Sequence, residues 1–184
     1  MLEKGTILIS EPYLEDPNFD RTVVLLCDYN KEEGAIGFIL NKKTELFLND
    51  LVEGLQIQYR FSVYFGGPVA TDTLFFVYRR KNAIITGSIE ISNSFYWGGD
   101  FDEFKEHLNF GSLEPQDIKI FLGYSGWSVG QLEEELKSKA WYTYDMDSDL
   151  VIESDPDTLW KEVLRRKGGK YKMISNYPID PKLN

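Results

Sequence analysis

The sequence predicts a single α+β domain, and three observations support this prediction. Short apolar segments of strand length cluster early in the chain, whereas segments with helical patterning are interspersed late. The sequence shows no internal repeat, no low-complexity stretch and no linker long enough to separate two domains. Its 184 residues can form one hydrophobic core, since a chain of this size buries about 70% of its unfolded surface. We therefore expect residues 1–184 to form one domain rather than a doubly wound parallel sheet.

The first half of the chain is predicted to consist mostly of strands. The continuous apolar run at 22–27 indicates a strand buried on both faces, and a turn at 30–34 joins it to a strand at 35–40 in a hairpin. Gly37 in the second strand suggests a bulge or the close approach of another backbone. The other predicted elements of this half are strands at 5–10, 61–65, 73–78 and 83–91, a loop at 11–20 and a short helix at 48–55.

The second half of the chain contains the clearer helix signals. Asp100 can cap a helix at its amino end, and Pro156 suits the first turn of another. The predicted elements are a helix at 100–108, a strand at 117–122, a hairpin of strands 141–144 and 150–153 across 145–149, a last helix from 154 to about 168, and an irregular tail at 177–181.

The stretch from Leu122 to Leu136 is the most informative part of the sequence. We interpret it as the end of a buried strand, a glycine-rich turn at 123–127 and the start of an acidic helix. Such a junction places backbone N–H groups and the indole of Trp127 around one small volume. This is a geometry typical of binding sites, so the stretch is a candidate site.

The net charge of −10 disfavours generic binding to the phosphates of nucleic acid. The charge is uneven, however, because the segment 161–172 carries six basic residues and one acidic residue. We interpret the run Arg165, Arg166 and Lys167 as complementing the carboxyl end of the last helix before Gly168. The alternative is a basic patch for an anionic partner.

The sequence contains one cysteine, Cys27, which lies in an apolar run and cannot form an internal disulfide. The apolar run 7–9 near the amino end is too short for the core of a signal peptide or for a membrane span. We therefore expect a cytoplasmic, soluble protein without a membrane partner, in which Cys27 is a buried hydrophobic residue.

Known catalytic and metal-binding motifs are incomplete in this chain. The segment 123–127 resembles a G-x-S-x-G nucleophile elbow, but Trp127 occupies the last position and the single histidine, His107, precedes Ser125. The acidic segment 145–149 imitates a calcium loop but lacks its glycine and its final glutamate. One cysteine and one histidine cannot supply a zinc site. We therefore predict no catalytic residue, no metal and no cofactor.

Four ordered blocks of the sequence form a wider pattern. They are Leu8-Ile9-Ser10 with Pro12 and the segment 16–23, Gly34-Ala35-Ile36-Gly37 ending at Asn41, Gly66-Gly67-Pro68-Val69, and Leu122-Gly123-Tyr124-Ser125-Gly126-Trp127 with Gly130-Gln131-Leu132-Glu133-x-Glu135 and Trp141. Together, from about Gly5 to Trp160, they resemble the YqgE/AlgH family of bacterial proteins. Two departures are the serine at 125, where the family often has alanine, and the tail 176–184, which lacks the Gly-His-Ala end of many members.

The resemblance implies a single compact α+β unit in which a bifurcated mixed or antiparallel sheet forms a pseudo-barrel flanked by helices. Members of the family are described as uncharacterised proteins and sometimes as transcriptional regulators, and no reaction is attached to their motifs. The leading hypothesis is thus a non-catalytic binding or regulatory protein. Its partner would be an unknown small molecule or protein.

We place the candidate cleft between the turn at 66–68 and the turn at 124–131, because polar groups there would converge on the wall formed by Trp127. The candidate ligand-binding residues are Arg21, Asn41, Gly66, Gly67, Pro68, Tyr124, Ser125, Trp127, Gln131 and Glu135. Asn41 and Gln131 provide the test, since full burial of both with bonds to backbone would contradict this site.

Two other functions remain as alternatives. Regulation of transcription rests on the basic segment 161–172 alone, and an indirect role through a protein partner fits the acidic chain better than direct DNA binding. An enzyme of unknown reaction would need acid–base groups such as Glu135 paired with Arg21.

Overall fold

The computed structural model describes residues 2–81, 84–92 and 94–179, and the long strand β9, Ile118–Trp127, lies at the centre of its sheet. The other strands are β1 (Ile7–Ser10), β2 (Val23–Asn30), β3 (Gly34–Ile39), β4 (Lys43–Phe47), β5 (Ser62–Phe65), β6 (Val69–Arg79), β7 (Ile89–Ser92), β8 (Phe95–Trp97) and β10 (Trp141–Tyr144). The helices are α1 (Leu48–Leu51), α2 (Phe101–Asn109), α3 (Gln131–Lys137), α4 (Ser148–Ile152), α5 (Leu159–Lys167) and α6 (Lys170–Ile174).

Strand β9 pairs with three other strands. Its carboxyl end pairs antiparallel with β3, where Gly37 is opposite Ser125, and its first half pairs parallel with β5. Strand β6 pairs antiparallel along the other edge of β9. Strands β3 and β5 pair with the same edge of β9 at different positions along it, so the sheet divides there. This confirms the predicted bifurcation.

The main path of the sheet runs β10-β1-β2-β3-β9-β6-β8-β7, with β4 attached to β5. Within the described residues, β10 and β7 at the two ends do not pair with each other, so the sheet is not closed into a barrel. The predicted α+β class in one compact domain is confirmed, and the pseudo-barrel has an open side.

Buried side chains form three clusters that join the helices to the sheet. The largest packs α4 and α5 against β1 and β2 and includes Leu150 and Trp160. The second contains Phe104 of α2, whose ring stacks on that of Phe76 with centroids 4.0 Å apart. The third surrounds Trp127 beneath α3. Helices α4 and α5 therefore cover one part of the sheet, while α2 and α3 cover two others.

Several local predictions are confirmed. Strands β2 and β3 form the expected hairpin, and a Cβ added to Gly37 would lie 2.8 Å from the carbonyl oxygen of Leu25. Asp100 caps α2 by accepting a hydrogen bond of 2.9 Å from the backbone N–H of Glu103. These features depend on residues close in sequence, or on a glycine that the close approach of strands requires.

Two predictions about local structure are wrong. The segment 123–127 is not a turn but continues β9, because Gly123 accepts a φ of +70° and pairing with β3 and β6 holds the segment extended. The segment 150–153 is not a strand, because Asp147 caps α4 and both Leu150 and Val151 are fully buried. Adjacent residues of a strand point to opposite faces, whereas here both residues pack on one core.

Other element boundaries differ from the predictions. Strand β7 covers only the end of the predicted strand at 83–91, whose first residue, Ala83, lies outside the described residues. Helix α5 starts at Leu159 rather than at 154, and α1 ends at Leu51. The sequence analysis did not predict β4, β8 or α6. These elements are short and depend on packing rather than on local pattern.

The turn at 66–68 packs directly against β9 through glycines. A Cβ added to Gly66 would overlap the carbonyl oxygen of Gly123, and one added to Gly67 would overlap the backbone of Tyr124 and Ser125. The N–H of Gly66 donates to the carbonyl of Leu122 at 2.8 Å. The two backbones therefore touch, which only glycine at 66 and 67 permits. We call this the glycine contact.

Replacing Gly66 with alanine is expected to be severely destabilising. Its Cβ would also lie 3.0 Å from Phe121 Cβ and Phe38 Cδ1, so the backbones must separate. We expect Gly66→Ala to lower the free energy of unfolding by about 3 kcal/mol or more, or to prevent folding. Urea unfolding followed by tryptophan fluorescence measures the loss, and far-UV circular dichroism detects a failure to fold.

Gly54→Ala is the matched control, because Gly54 has a φ of +79° and no atom lies within 4 Å of the position that a Cβ would take there. We expect a loss of about 1 kcal/mol in this variant, from backbone strain alone. Equal losses in the two variants would show that the glycine contact is not tightly packed.

Candidate functional site

The cleft expected between the turns at 66–68 and 124–131 is not present, because the glycine contact fills this position. Ser125 is fully buried, and its Oγ donates to the carbonyl of Gly66 at 2.9 Å. The ring of Tyr124 packs edge-on against that of Phe75, with centroids 5.6 Å apart. Pro68 is exposed at the end of the turn. These two segments are therefore in contact and do not form opposite walls of a cleft, contrary to the prediction.

Arg21 and Asn41 hold distant parts of the chain together. Asn41 Oδ1 accepts from the N–H of Val23, and its Nδ2 donates to the carbonyl of Arg21, both at 2.9 Å. The guanidinium of Arg21 lies over the indole of Trp160, 4.7 Å from the ring centroid. Its Nη2 donates to the backbone carbonyls of residues 177 and 178. Arg21 therefore fastens the carboxyl-terminal segment to the body of the protein.

The carboxylate of Glu135 binds two tryptophans. Its Oε2 accepts from Trp127 Nε1 at 2.9 Å and from Trp141 Nε1 at 2.7 Å. Its Oε1 accepts from Gln131 Nε2 at 2.8 Å, and Gln131 Oε1 accepts from the N–H of Ser128. The two indoles pack at 77°, with centroids 5.9 Å apart. Glu135 thus joins α3 to β9 and β10.

These contacts give the candidate ligand-binding residues roles inside the protein. Asn41 is bonded to backbone at both ends of its amide but is only half-buried, and Gln131 is exposed, so neither residue meets the condition of full burial that would contradict the site. Ligand binding by the ten residues stays a prediction, with the exposed side of Gln131 as its accessible part.

A cleft lies elsewhere, where the open sheet leaves a gap between its two ends. It has a volume of about 780 Å³, within the range of small-ligand sites. Residues after β6 and at the start of β8 form one side, and the link from β10 to α4 forms the other. The lining residues are Arg79, Arg80, Ser94, Phe95, Tyr144, Asp145, Met146, Asp147 and Ser148. We call this the seam cleft.

Arg79 is the unusual residue of the seam cleft. Its Nε and Nη2 are buried and have no hydrogen-bond partner among residues 2–81, 84–92 and 94–179. Nη2 lies 3.8 Å from Glu153 Oε1, which is beyond hydrogen-bond distance, and the guanidinium lies 5.4 Å from the ring centroid of Phe95. Buried donors of a charged group are costly to leave unpaired, so this geometry suits an anionic ligand.

The other charges of the seam cleft are arranged unevenly. Asp147 caps α4 and forms an ion pair with Arg166 at 2.7 Å, so its carboxylate is already bound. A hydrogen bond to Glu162, with help from Asp147, raises the pKa of Arg166 above its usual value. Arg80 and Asp145 are exposed. Arg79 and Arg80 therefore supply cationic groups on one side, and Asp145 an anionic group on the other.

Metal binding and membrane spanning find no structural support in the part of the chain that is described. Within it, no group of three or more His, Cys, Asp or Glu side chains is placed to hold a metal ion. None of the described helices has the length and apolar character needed to span a bilayer. His107 Nδ1 lies 3.0 Å from Ser112 Oγ, so the single histidine has a partner close to it in sequence.

Sequence reasoning missed the seam cleft for a physical reason. Arg79 is the last residue of β6 and Arg80 follows it, which is a weak signal for a site, and the pattern at 145–149 suggests only an incomplete calcium loop. These segments meet because β6 and β10 lie towards opposite ends of an open sheet that curves around one core. No local sequence pattern predicts that these two segments lie close together.

Comparisons with known proteins agree with the fold. A family model described as AlgH-like matches residues 7–172. The UPF0301 protein of Cytophaga hutchinsonii is 49% identical over 184 residues and matches 100% of both chains, and that of Bacteroides thetaiotaomicron is 41% identical over 98% of this chain and 91% of its own.

Two solved structures are also similar. The solution structure of the AlgH protein from Pseudomonas aeruginosa has a TM-score of 0.73 and 28% identity, covering 95% of this chain and 94% of its own. A crystal structure of a protein from Corynebacterium diphtheriae has a TM-score of 0.76 and 18% identity, covering 96% and 93%, and shows the likeness of fold alone.

Replacing Glu135 with glutamine is expected to weaken the joint between α3, β9 and β10. The amide keeps the size of the carboxylate but has one acceptor atom instead of two, so at least one of three donors faces another donor. We expect Glu135→Gln to lower the free energy of unfolding by about 1–3 kcal/mol. Urea unfolding at neutral pH measures this loss.

The control for this experiment is Glu134→Gln, which makes the same charge change on the exposed side of α3. Its effect should stay within about 0.5 kcal/mol. If the two variants unfold at the same urea concentration, the indole bonds to Glu135 contribute little.

Proposed function

Since the chain belongs to the AlgH-like family, we propose that it is a non-catalytic protein that binds a small anionic ligand in the seam cleft. The observation that carries the proposal is the guanidinium of Arg79, with two buried nitrogens that lack a hydrogen-bond partner in the described part of the chain. Arg79 lines the cleft, and a carboxylate or phosphate oxygen is the group that a guanidinium binds best, because charge on both partners strengthens the hydrogen bond.

The rest of the cleft suggests the body of the ligand. Phe95 and Tyr144 offer aromatic surfaces, and Met146 adds a flexible apolar side chain. Ser94 also lines the cleft and can offer its hydroxyl for polar contacts, whereas the hydroxyl of Ser148 donates to Asp149 Oδ1 at 3.2 Å. We therefore expect a ligand with one anionic head group and an apolar or aromatic body, of a size that suits about 780 Å³.

Recognition rather than chemistry fits the groups that line the cleft. Arginine stays charged at all accessible pH values, so Arg79 and Arg80 are poor proton donors or acceptors. Asp147 is held by the backbone of α4 and by Arg166. A ligand in this position would bridge the two ends of the sheet, and such bridging suits a regulatory role.

The basic segment at 161–172 gives little support to a role on DNA. Arg166 is occupied by two carboxylates, and Lys167 Nζ donates to the carbonyl of Thr143 at 2.7 Å. The run lies in the last turn of α5, where positive charge complements the carboxyl end of a helix. We therefore propose a small molecule, not nucleic acid, as the direct partner.

A thermal-shift screen with Arg79→Met tests the proposal. The probes are inorganic phosphate, citrate, adenosine and uridine monophosphates, benzoate and indole-3-carboxylate. A ligand that binds only the native state, at 100 times its dissociation constant, stabilises it by about 2.7 kcal/mol, or roughly 5–10 °C in Tm for a domain of this size. We expect at least one probe to raise the Tm, and Arg79→Met to abolish the increase.

The ligand-free variant separates a binding role from a structural one. If Arg79 is kept for a ligand, Arg79→Met removes unpaired buried donors, and its own Tm should equal or exceed that of the wild type. Arg165→Met is the control, since Arg165 is exposed on α5 and does not line the cleft. A lower Tm for Arg79→Met with no response of the wild type to any probe would contradict the proposal.

A further inference from the structure

Lys119 is a buried lysine that does not line the seam cleft. It lies on β9, with 3% of its surface exposed, and its Nζ donates to the carbonyl of Val151 in α4 at 3.2 Å. The ring of Tyr64 lies on another side, 4.3 Å from Nζ to the ring centroid. Among the described residues, no carboxylate lies within ion-pair distance of it. The amine is thus surrounded by the sheet, one aromatic ring and one carbonyl.

The environment of Lys119 does not match the needs of an ammonium group. An ammonium has three N–H donors, whereas the structure gives this nitrogen one acceptor. Burial lowers the pKa of Lys119 from 10.5 to about 7. Burial also raises the pKa of the neighbouring Tyr64, with a smaller effect from Asp155. A neutral amine with a free lone pair is therefore abundant at neutral pH.

A small cavity borders the amine. It has a volume of about 120 Å³ and is lined by Ser62, Tyr64, Lys119 and Ile152, with the exposed Arg60 and Pro115 at its mouth. Tyr64, whose ring contacts Nζ, lines this cavity, and so does Ile152, which follows Val151 in the sequence, so the cavity lies beside the side chain of Lys119. Because a water molecule occupies about 30 Å³ of liquid, there is room for a two-carbon acyl group, and the phosphate of an acyl phosphate would stay at the mouth of the cavity. No lining residue is shared with the seam cleft.

We propose that Lys119 is an acylation site that accepts a two-carbon acyl group from a small acyl phosphate. In this step the lone pair of Nζ attacks the acyl carbon and a C–N bond forms. The bond between that carbon and the phosphate oxygen breaks, and its electron pair leaves with phosphate. Nζ releases one proton to solvent, so the products are an amide, inorganic phosphate and a proton.

The product fits the surroundings of Lys119 better than the ammonium does. A secondary amide keeps one N–H, which can still donate to the carbonyl of Val151, so its donor count equals the number of acceptors present. The amide is neutral and loses no solvation of a charge on burial. The hydroxyl of Ser62, in the same cavity, can donate to the new carbonyl oxygen.

Acetylation of the wild-type protein by acetyl phosphate tests this proposal. Peptide mass spectrometry follows the rate at Lys119 and at Lys161, which is exposed on α5 and serves as the internal reference. A lysine in water has a pKa near 10.4, so only about one in a thousand is neutral at pH 7.4. We expect Lys119 to react at least tenfold faster than Lys161 at pH 7.4.

The pH profile and the unfolded state supply the controls. The rate at Lys119 should level off above pH 8, while that at Lys161 continues to rise to pH 9, and the two rates should become equal in 8 M urea. A rate at Lys119 equal to or below that at Lys161 in the folded protein would overturn the proposal, as would a ratio that urea leaves unchanged.

The stability of Lys119→Met gives an independent measurement. Between about pH 7 and 10.5 the unfolded state holds a proton on Lys119 that the folded state has released, so unfolding becomes less favourable as pH rises. The Tm of the wild type should therefore increase relative to that of Lys119→Met over this range, other groups being common to both. A constant difference would show that Lys119 keeps its proton when folded, contrary to the proposal.

Discussion

The contact of bare backbone between the turn at 66–68 and strand β9 is the constraint on which the rest of the structure depends. It holds the turn between β5 and β6 against β9 at a separation that no side chain could occupy, and both strands pair with β9. Strand β3 pairs with the carboxyl end of β9. The ten residues of β9 therefore organise both branches of the sheet. The helices then cover surfaces whose positions are already fixed.

The bonds of Glu135 extend this arrangement to the end of β10. A single carboxylate oxygen accepts both indole N–H groups, so the position of α3 determines how β9 and β10 are oriented. Ser125, Trp127, Gln131 and Glu135 belong to the block that most resembles the family signature, and each has a partner inside the protein. In this chain these four residues therefore contribute to the assembly of the fold.

Much of the local structure could be predicted from the sequence. The apolar run that ends at Cys27 correctly predicted β2, and the cap at Asp100 correctly predicted α2. Both elements are determined by residues that are close together in the sequence. The strand through 123–127 could not be predicted, because glycine and serine there have turn character and only distant partners hold them extended. The same limit applies to α4, whose two adjacent buried residues resemble half of a short strand.

The candidate site was harder to predict than the fold. Several residues proposed from sequence have backbone and polar groups that serve the packing of the strands, and ligand binding by them stays a prediction. Arg79 gives no signal in the sequence beyond its place at the end of a strand, and its missing partners are visible only in three dimensions. An unsatisfied donor is a property of the assembled fold, so sequence patterns cannot report it.

The order of strands in the sheet also has a consequence during synthesis on the ribosome. The hairpin of β2 and β3 can form as soon as it emerges, but Gly37 must wait for Ser125, and Ile7 must wait for Tyr144. Until then the nascent chain carries apolar strands with unpaired edges, and such segments tend to associate with one another. Pairing between distant residues also slows folding. Yield in a cell should therefore depend on the rate of translation and on chaperones that shield the first three strands, more than on the stability of the finished protein.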